Sequence, residues 1–256
     1  MLSKYSFSFA TILFFLIQTT FANTLKKETH HIYLLIGQSN MAGRAPIKEE
    51  KNLPLKQAYV FTSNNTWENA KNPLNRYSTI RKNLKMQKTN LGYAFAQTML
   101  KDKNDITIGL VVNAKGGTRI EQWAKDTEFY KEAVERARVA MQTGTLKGIL
   151  WHQGESNAGK ADEYLEKLKA LIENLRHDLK VPDCPFVAGQ VFFHSKTKPA
   201  TKAINDELHK LPSLVHKTQC VSSEGCTTFD NTHFDAKSTA LLGQRYAKSI
   251  IALTSK

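Results

Sequence analysis

The segment Gly37-Gln38-Ser39-Asn40 follows five apolar residues, Ile32 to Ile36, and sets a hydroxyl where a buried strand has just ended. A serine hydroxyl is a weak nucleophile until a base takes its proton. Imidazole is the usual base, and a carboxylate orients it and stabilises the imidazolium. Near the far end of the chain, DNTHF carries Asp230 and His233. Their spacing lets both side chains leave one turn and face one pocket. Acyl transfer also needs donors for a developing oxyanion. Ser39 can offer its own N–H at a strand-to-helix turn, where such groups are free. Gly116-Gly117 can bring a backbone N–H close to substrate. WHQGESN adds side-chain amides, from Gln153 or Asn157. Each part also has a plainer reading. Ser39 and Asp230 are good helix caps, and His233 can be a packed surface histidine. Their joint occurrence favours the chemical reading.

Such residues need elements to hold them. Strand-like runs cover Ile32–Ile36, Gln57–Thr62, Ile106–Asn113, Leu146–Trp151, Phe186–Phe193 and Leu214–Val221. Between them lie helix-like stretches at Leu91–Lys101, Glu128–Gln142, Ala161–Leu179, Ala200–Leu211 and Ala236–Leu253. In the third of these, Tyr164, Leu168, Leu171, Leu175 and Leu179 share one face. Strands alternating with helices imply βαβ units and a mostly parallel sheet. Near-continuous apolar strands imply helices on both of its faces. The expected fold is α/β, a three-layer α/β/α sandwich. Ligands of such sheets bind beyond the C-terminal ends of the strands. GQSNMAG, AKGGTRIEQW, WHQGESNAG and DNTHFD all fall where a shared pocket is expected. The weakly periodic stretch 44–90 is a candidate source of substrate contacts.

The chain has 256 residues. Its start, with Lys4, an apolar run from Phe7 to Ile17 and Thr20-Phe21-Ala22, has the anatomy of a secretory signal. That apolar run is short for a membrane span. The expectation is a leader over residues 1–22, with an uncleaved anchor as the alternative, one catalytic domain over 23–256, and a secreted or periplasmic protein with no membrane anchor after cleavage. Export permits disulfides, and Cys220 and Cys226 flank a short polar loop, so they are the expected pair. Cys184 is then a buried small side chain. No cysteine or histidine spacing suggests a metal, and no cofactor is expected. The formal charge is +13, but the lysines are scattered, which points to a basic solvated surface and not to a nucleic-acid site. His30-His31 reads as a surface pair. Trp123 and Trp151 are candidates for either core packing or sugar stacking.

GQSNMAGR, GGTRIEQW, WHQGESN and DNTHFD together resemble the four blocks of the SGNH/GDSL hydrolase superfamily. More narrowly, they resemble its sialate O-acetylesterase and acetylxylan esterase branch, similar to carbohydrate esterase family 6. The resemblance runs from about Ile32 to Ala247. It implies a flavodoxin-like sheet and metal-free hydrolysis of acetylated carbohydrate through an acyl-serine. By motif, Ser39 is the nucleophile, His233 the base and Asp230 its partner. Ser39, Gly117 and Gln153 are the implied oxyanion donors. Gln38, Asn40, Arg119, Glu155 and Asn157 are candidate substrate contacts. Arg119 stands where the family often has a small polar residue and is able to bind an acidic sugar or a neighbouring carboxylate. Glu155 has the alternative role of orienting its loop. Asn157 stands where the family often has aspartate, so its role is open. The rival functions are a lipid or thioester hydrolase on the same fold and a carbohydrate-binding protein without turnover.

Overall fold

Strand β1, His30–Gly37, runs up the centre of a seven-stranded sheet in this computed structural model, which describes residues 25–81 and 83–255. The expected leader lies outside the described residues. Successive side chains of β1 point to opposite faces, as period-two geometry requires. Ile32, Leu34 and Ile36 enter one apolar cluster, and Tyr33 and Leu35 enter the other.

The other strands are β2 Ala58–Phe61, β3 Trp67–Asn69, β4 Thr107–Ala114, β5 Thr145–His152, β6 Phe186–Gly189 and β7 Thr218–Val221. They lie in the order β3-β2-β4-β1-β5-β6-β7, and every pairing is parallel except β2 with β3. The strands from β4 to β7 follow a flavodoxin-like order, and β2 and β3 extend the sheet beyond β4. The helices are the short α1 Ser39–Ala42, then α2 Leu91–Asp102, α3 Glu128–Ala140, α4 Tyr164–Asp178, α5 Thr201–Leu214 and α6 Ala236–Thr254. Helices α2 and α6 cover one face with Leu91, Phe95, Leu242, Tyr246 and Ile250. Helices α3, α4 and α5 cover the other with Phe129, Leu168, Leu175, Ile204 and Leu208. No described helix is long and apolar enough to cross a membrane.

The three-layer α/β/α architecture is the expected one, and the differences are local. Helix α4 starts at Tyr164, because the expected opening at Ala161 is a turn closed by a Tyr164 N–H to Ala161 O bond of 2.9 Å. Strand β6 ends at Gly189, where a β-carbon would stand 2.1 Å from the Tyr246 hydroxyl. Helix α5 continues through Pro212 to Leu214, so β7 begins only at Thr218. Within the stretch 44–90, the expected strand is present as β2, and β3 is an addition to it.

Cys220 and Cys226 are free thiols, which overturns the expected disulfide. Cys220 packs against the cluster under α4 and α5, whereas Cys226 belongs to the cluster under α6, so the sheet separates them. His30 is likewise not a surface residue. It is fully buried, with Nδ1 at 2.8 Å from Thr107 Oγ1 and its ring edge-on to Trp67. Trp123 and Trp151 are also fully buried, packed edge-to-face with centroids 5.5 Å apart, so neither presents a face to sugar.

Candidate active site

The turn after β1 cannot carry a side chain at its first position. Gly37 has φ 137°, and a β-carbon there would stand 2.2 Å from His152 O. The next N–H, of Gln38, donates to that same carbonyl at 2.9 Å. Helix α1 then begins at Ser39, and its first helical bond runs from Ala42 N–H to Gln38 O at 2.8 Å. The N–H of Ser39 therefore has no acceptor within the helix, as is general for a helix start. Ser39 is 5% exposed.

The loop after β4 comes against this turn. A β-carbon on Gly116 would lie 3.3 Å from the Ser39 β-carbon. Gly117 follows with φ 76°, a left-handed conformation in which glycine is unstrained, and its open side meets nothing within 4 Å.

The Asp230–His233 spacing acts through one carboxylate. Asp230 Oδ1 accepts the N–H of Thr232 at 3.1 Å and that of His233 at 2.7 Å. Asp230 Oδ2 lies 2.6 Å from His233 Nδ1. Partial burial works against the Asp230 charge, but the hydrogen bonds from His233 outweigh it and hold the carboxyl below its ordinary range. An Nδ1–H directed at a carboxylate leaves Nε2 free to accept a proton.

Asn40 joins the His233 turn to the Ser39 turn. Its Oδ1 accepts the Phe234 N–H at 3.1 Å. Its Nδ2 donates to Thr232 O at 3.2 Å and to Glu155 Oε1 at 2.6 Å. The residues on both sides of His233 are thus tied to the neighbour of Ser39. No direct hydrogen bond joins the Ser39 hydroxyl to the His233 ring among the described residues, and such bonds commonly tighten only when substrate is bound. Burial raises the Glu155 carboxyl to about 7, against the Asn40 hydrogen bond and the charge of Lys198. Its Oε2 is buried without a partner.

Gln153 is not free to serve as an oxyanion donor. It is fully buried, and its Nε2 faces Asn157 Oδ1 at 2.7 Å, Thr118 O at 3.0 Å and Gln38 Oε1 at 3.2 Å. Two amide protons are already committed among three acceptors. Gln38 and Asn157, the other candidate contacts, are engaged within the fold as well. Gln38 Oε1 also receives the N–H groups of Gly154 and Ser156, at 3.4 and 3.3 Å. Asn157 Oδ1 receives the Ile120 N–H at 2.9 Å, and its Nδ2 reaches the Glu121 carboxylate. Glu121, which sequence reasoning missed, is held down to about 2: burial opposes its charge, but Lys167 and Asn157 prevail. Asn40 and Glu155 bind each other, and Glu155 also lines the cavity beside the His233 turn. Arg119 is exposed; its N–H lies 2.9 Å from Gln122 Oε1 and its carbonyl accepts the Gln122 N–H at 3.1 Å. His152 is fully buried, 3.0 Å from the Tyr246 hydroxyl, and desolvation lowers it to about 4.

Arg44 and Arg81 were also missed. Arg44 closes the block GQSNMAGR, and Arg81 lies in the weakly periodic stretch; both guanidinium groups reach Gly116. A cavity of about 210 Å³ opens beside the His233 turn, lined by Glu155, Phe192, Thr197, Lys198, Asn231 and Thr232 among others. A larger one, about 510 Å³, lies around Tyr33, Lys147 and Cys184. That cavity is at the strand starts, the end of the sheet opposite Ser39, and has no nucleophile paired with a base. No cluster of three metal-ligating side chains occurs among the described residues.

A model of the family "carbohydrate esterase, sialic acid-specific acetylesterase" matches residues 29–252. A probable carbohydrate esterase of Arabidopsis thaliana is 30% identical over 245 residues, covering 87% of this chain and 91% of that protein. The crystal structure of an Arabidopsis thaliana protein superposes with a TM-score of 0.78 at 26% identity, covering 88% of this chain and 98% of that one. The crystal structure of NanS superposes with a TM-score of 0.72 at 15% identity, covering 89% and 98%, a likeness of fold.

Proposed function

Because this chain belongs to the sialic acid-specific acetylesterase family of carbohydrate esterases, we propose that it removes O-acetyl groups from sugars through an acyl-serine, and that it does so outside the cytoplasm. Family membership makes it a carboxylic ester hydrolase. The observation that supports the mechanism is the double tie from Asn40 to Thr232 and Phe234, which brings an imidazole already paired with Asp230 to the serine turn.

In this reading Ser39 Oγ attacks the acetyl carbonyl, and His233 Nε2 takes the hydroxyl proton. Asp230 holds the opposite ring nitrogen and stabilises the imidazolium. The carbonyl oxygen becomes an oxyanion, which the N–H groups of Ser39 and Gly117 stabilise. Collapse breaks the ester C–O bond, and His233 returns the proton to the departing sugar hydroxyl. The cavity beside the His233 turn gives that sugar room. A water molecule, deprotonated by His233, then attacks the acetyl-serine; the acyl C–Oγ bond breaks, His233 returns the proton to Ser39 Oγ, and acetate leaves. The reaction needs no redox partner.

The test is acetate release from a panel of acetylated glycans by wild type, Ser39→Ala and His233→Ala. Release by the parent and at least a thousandfold loss in both variants is the expected result. Parental rates in either variant would refute the mechanism. Export is tested separately, by the N-terminal residue of the protein recovered outside the cells.

A further inference from the structure

The segment that carries His233 is a closed hairpin. Thr228 and Phe234 form an antiparallel bridge. Two backbone bonds flank it, Asp235 N–H to Thr227 O at 3.2 Å and Phe229 N–H to His233 O at 3.1 Å. Phe229 therefore stands opposite His233. Successive side chains of a strand point to opposite faces, so these two leave on the face away from Phe234. Phe234 is 1% exposed, in the cluster beneath α6, whereas Phe229 is 51% exposed. Burying Phe234 thus turns Phe229 and the base outward together. Their rings are close to parallel, inclined by 24°, with centroids 6.0 Å apart.

A lone surface phenylalanine is ordinary and by itself signals nothing. What distinguishes this one is the ring it covers. Asp230 Oδ2 holds His233 at one edge, 2.6 Å from Nδ1. A single bond at an edge does not fix the plane of the ring, whereas an aromatic ring against one face does. An aromatic face also attracts a cation within about 6 Å of its centroid, so Phe229 favours the imidazolium over the neutral imidazole. The imidazolium exists only once His233 has taken a proton. The contact is therefore stronger in the transition state than in the ground state, which is the condition for raising kcat. Asp230 is the one charged group bonded to that ring among the described residues. The ties from Asn40 to the two flanking residues are neutral amide bonds. If Phe229 served only to close the hairpin, the bridge and its backbone bonds would suffice, and any apolar side chain would do.

We propose that Phe229 is a positioning residue for the base: its ring braces one face of the His233 imidazole and stabilises the imidazolium, while Asp230 holds the Nδ1 edge and Nε2 is left for the serine. The inference rests on the acetylesterase reading for its effect on rate, but the ring contact can be measured alone.

The variants are Phe229→Leu, which keeps apolar bulk and removes the aromatic face, and Phe229→Tyr, which keeps both. The side chain is half exposed, so neither should change the melting temperature. The substrate is 4-nitrophenyl acetate, which has no sugar, so a lost sugar contact cannot imitate the effect. Phe229→Leu should lower kcat about fivefold with KM unchanged, and Phe229→Tyr should restore most of the rate. NMR titration of the His233 ring should show proton binding about threefold weaker in Phe229→Leu than in wild type. Parental kcat in Phe229→Leu, a loss that Phe229→Tyr does not restore, or identical ring titrations would overturn the proposal. A titration difference without any turnover by wild type would instead overturn the acetylesterase reading and leave the ring contact standing.

Discussion

Asn40 holds His233 by both of its neighbours, accepting from the N–H of Phe234 at 3.1 Å and donating to the carbonyl of Thr232 at 3.2 Å. A side chain one residue from the nucleophile thereby sets the position of the base. Asn40→Ala removes both ties and leaves buried groups unpaired. We expect kcat to fall by about a hundredfold, with KM changed far less, because a misplaced base costs rate more than affinity. Stability should drop by about 2 kcal/mol. Steady-state kinetics and denaturant titration of the same preparation check both numbers.

Asp230→Asn keeps an oxygen for the N–H groups of Thr232 and His233 but withdraws the charge facing Nδ1. The turn should persist while kcat falls by about 10³–10⁴. An unchanged melting temperature together with this loss would separate orientation of the imidazole from folding. A variant that retained most of its rate would show that Asp230 only shapes the turn.

Gln153 offers the opposite contrast. Its amide protons serve Thr118, Asn157 and Gln38 inside the fold. Gln153→Met should lower stability by about 1–3 kcal/mol and leave kcat per folded molecule within a few-fold of wild type. A missing oxyanion donor would instead cost about 10²–10³ in kcat with little loss of stability. Comparing the two readouts decides between these roles.

Glu155 makes stability depend on pH in a stated direction. Its folded value, about 7, lies above the ordinary 4.5, chiefly because burial disfavours the charge. The neutral form is therefore the better tolerated one. The stability associated with it is fully present below pH 4.5 and is lost as pH rises through about 7. Glu155→Gln cannot ionise, so its unfolding free energy should decline less than that of wild type across this interval. Denaturant titrations at several pH values from 4.5 to 8 measure the difference. Parallel curves for the two proteins would contradict it.

The cysteines give a covalent check. With Cys220 and Cys226 on opposite sides of the sheet, denaturation without reductant should expose three alkylatable thiols. A mass showing only one alkylated thiol would mean that the pair is bridged.

Much of this molecule follows from local pattern. The apolar run Ile32–Ile36 and the helical stripe from Tyr164 to Leu175 are two periods of burial, and periods are properties of a short window of chain. Asp230 and His233 lie within one turn, so their pairing was legible too: a carboxylate three residues upstream can take the N–H and the Nδ1 of the same histidine. The extent of β6 was not legible, because it ends where α6 sets the Tyr246 hydroxyl against Gly189, and only packing brings those elements together.

Side chains whose partners are remote were misread for the same reason. A glutamine in WHQGESN looks like a free donor until Thr118 and Gln38 arrive from two other loops. Two cysteines close in sequence look like a pair until Cys220 on β7 packs against one apolar cluster and Cys226, in the loop beyond it, enters the other. Residue order alone therefore determined the α/β/α layering, the polar segments at the strand ends and the aspartate–histidine turn. Tertiary structure decided that Asn40 would steer the base, that Gln153 would be spent inside, and that Arg44 and Arg81 would converge at Gly116. The physical reason is range: backbone periodicity and turn hydrogen bonds act over a few residues, whereas burial, hydrogen-bond saturation and charge depend on atoms that only the folded chain brings within a few ångströms.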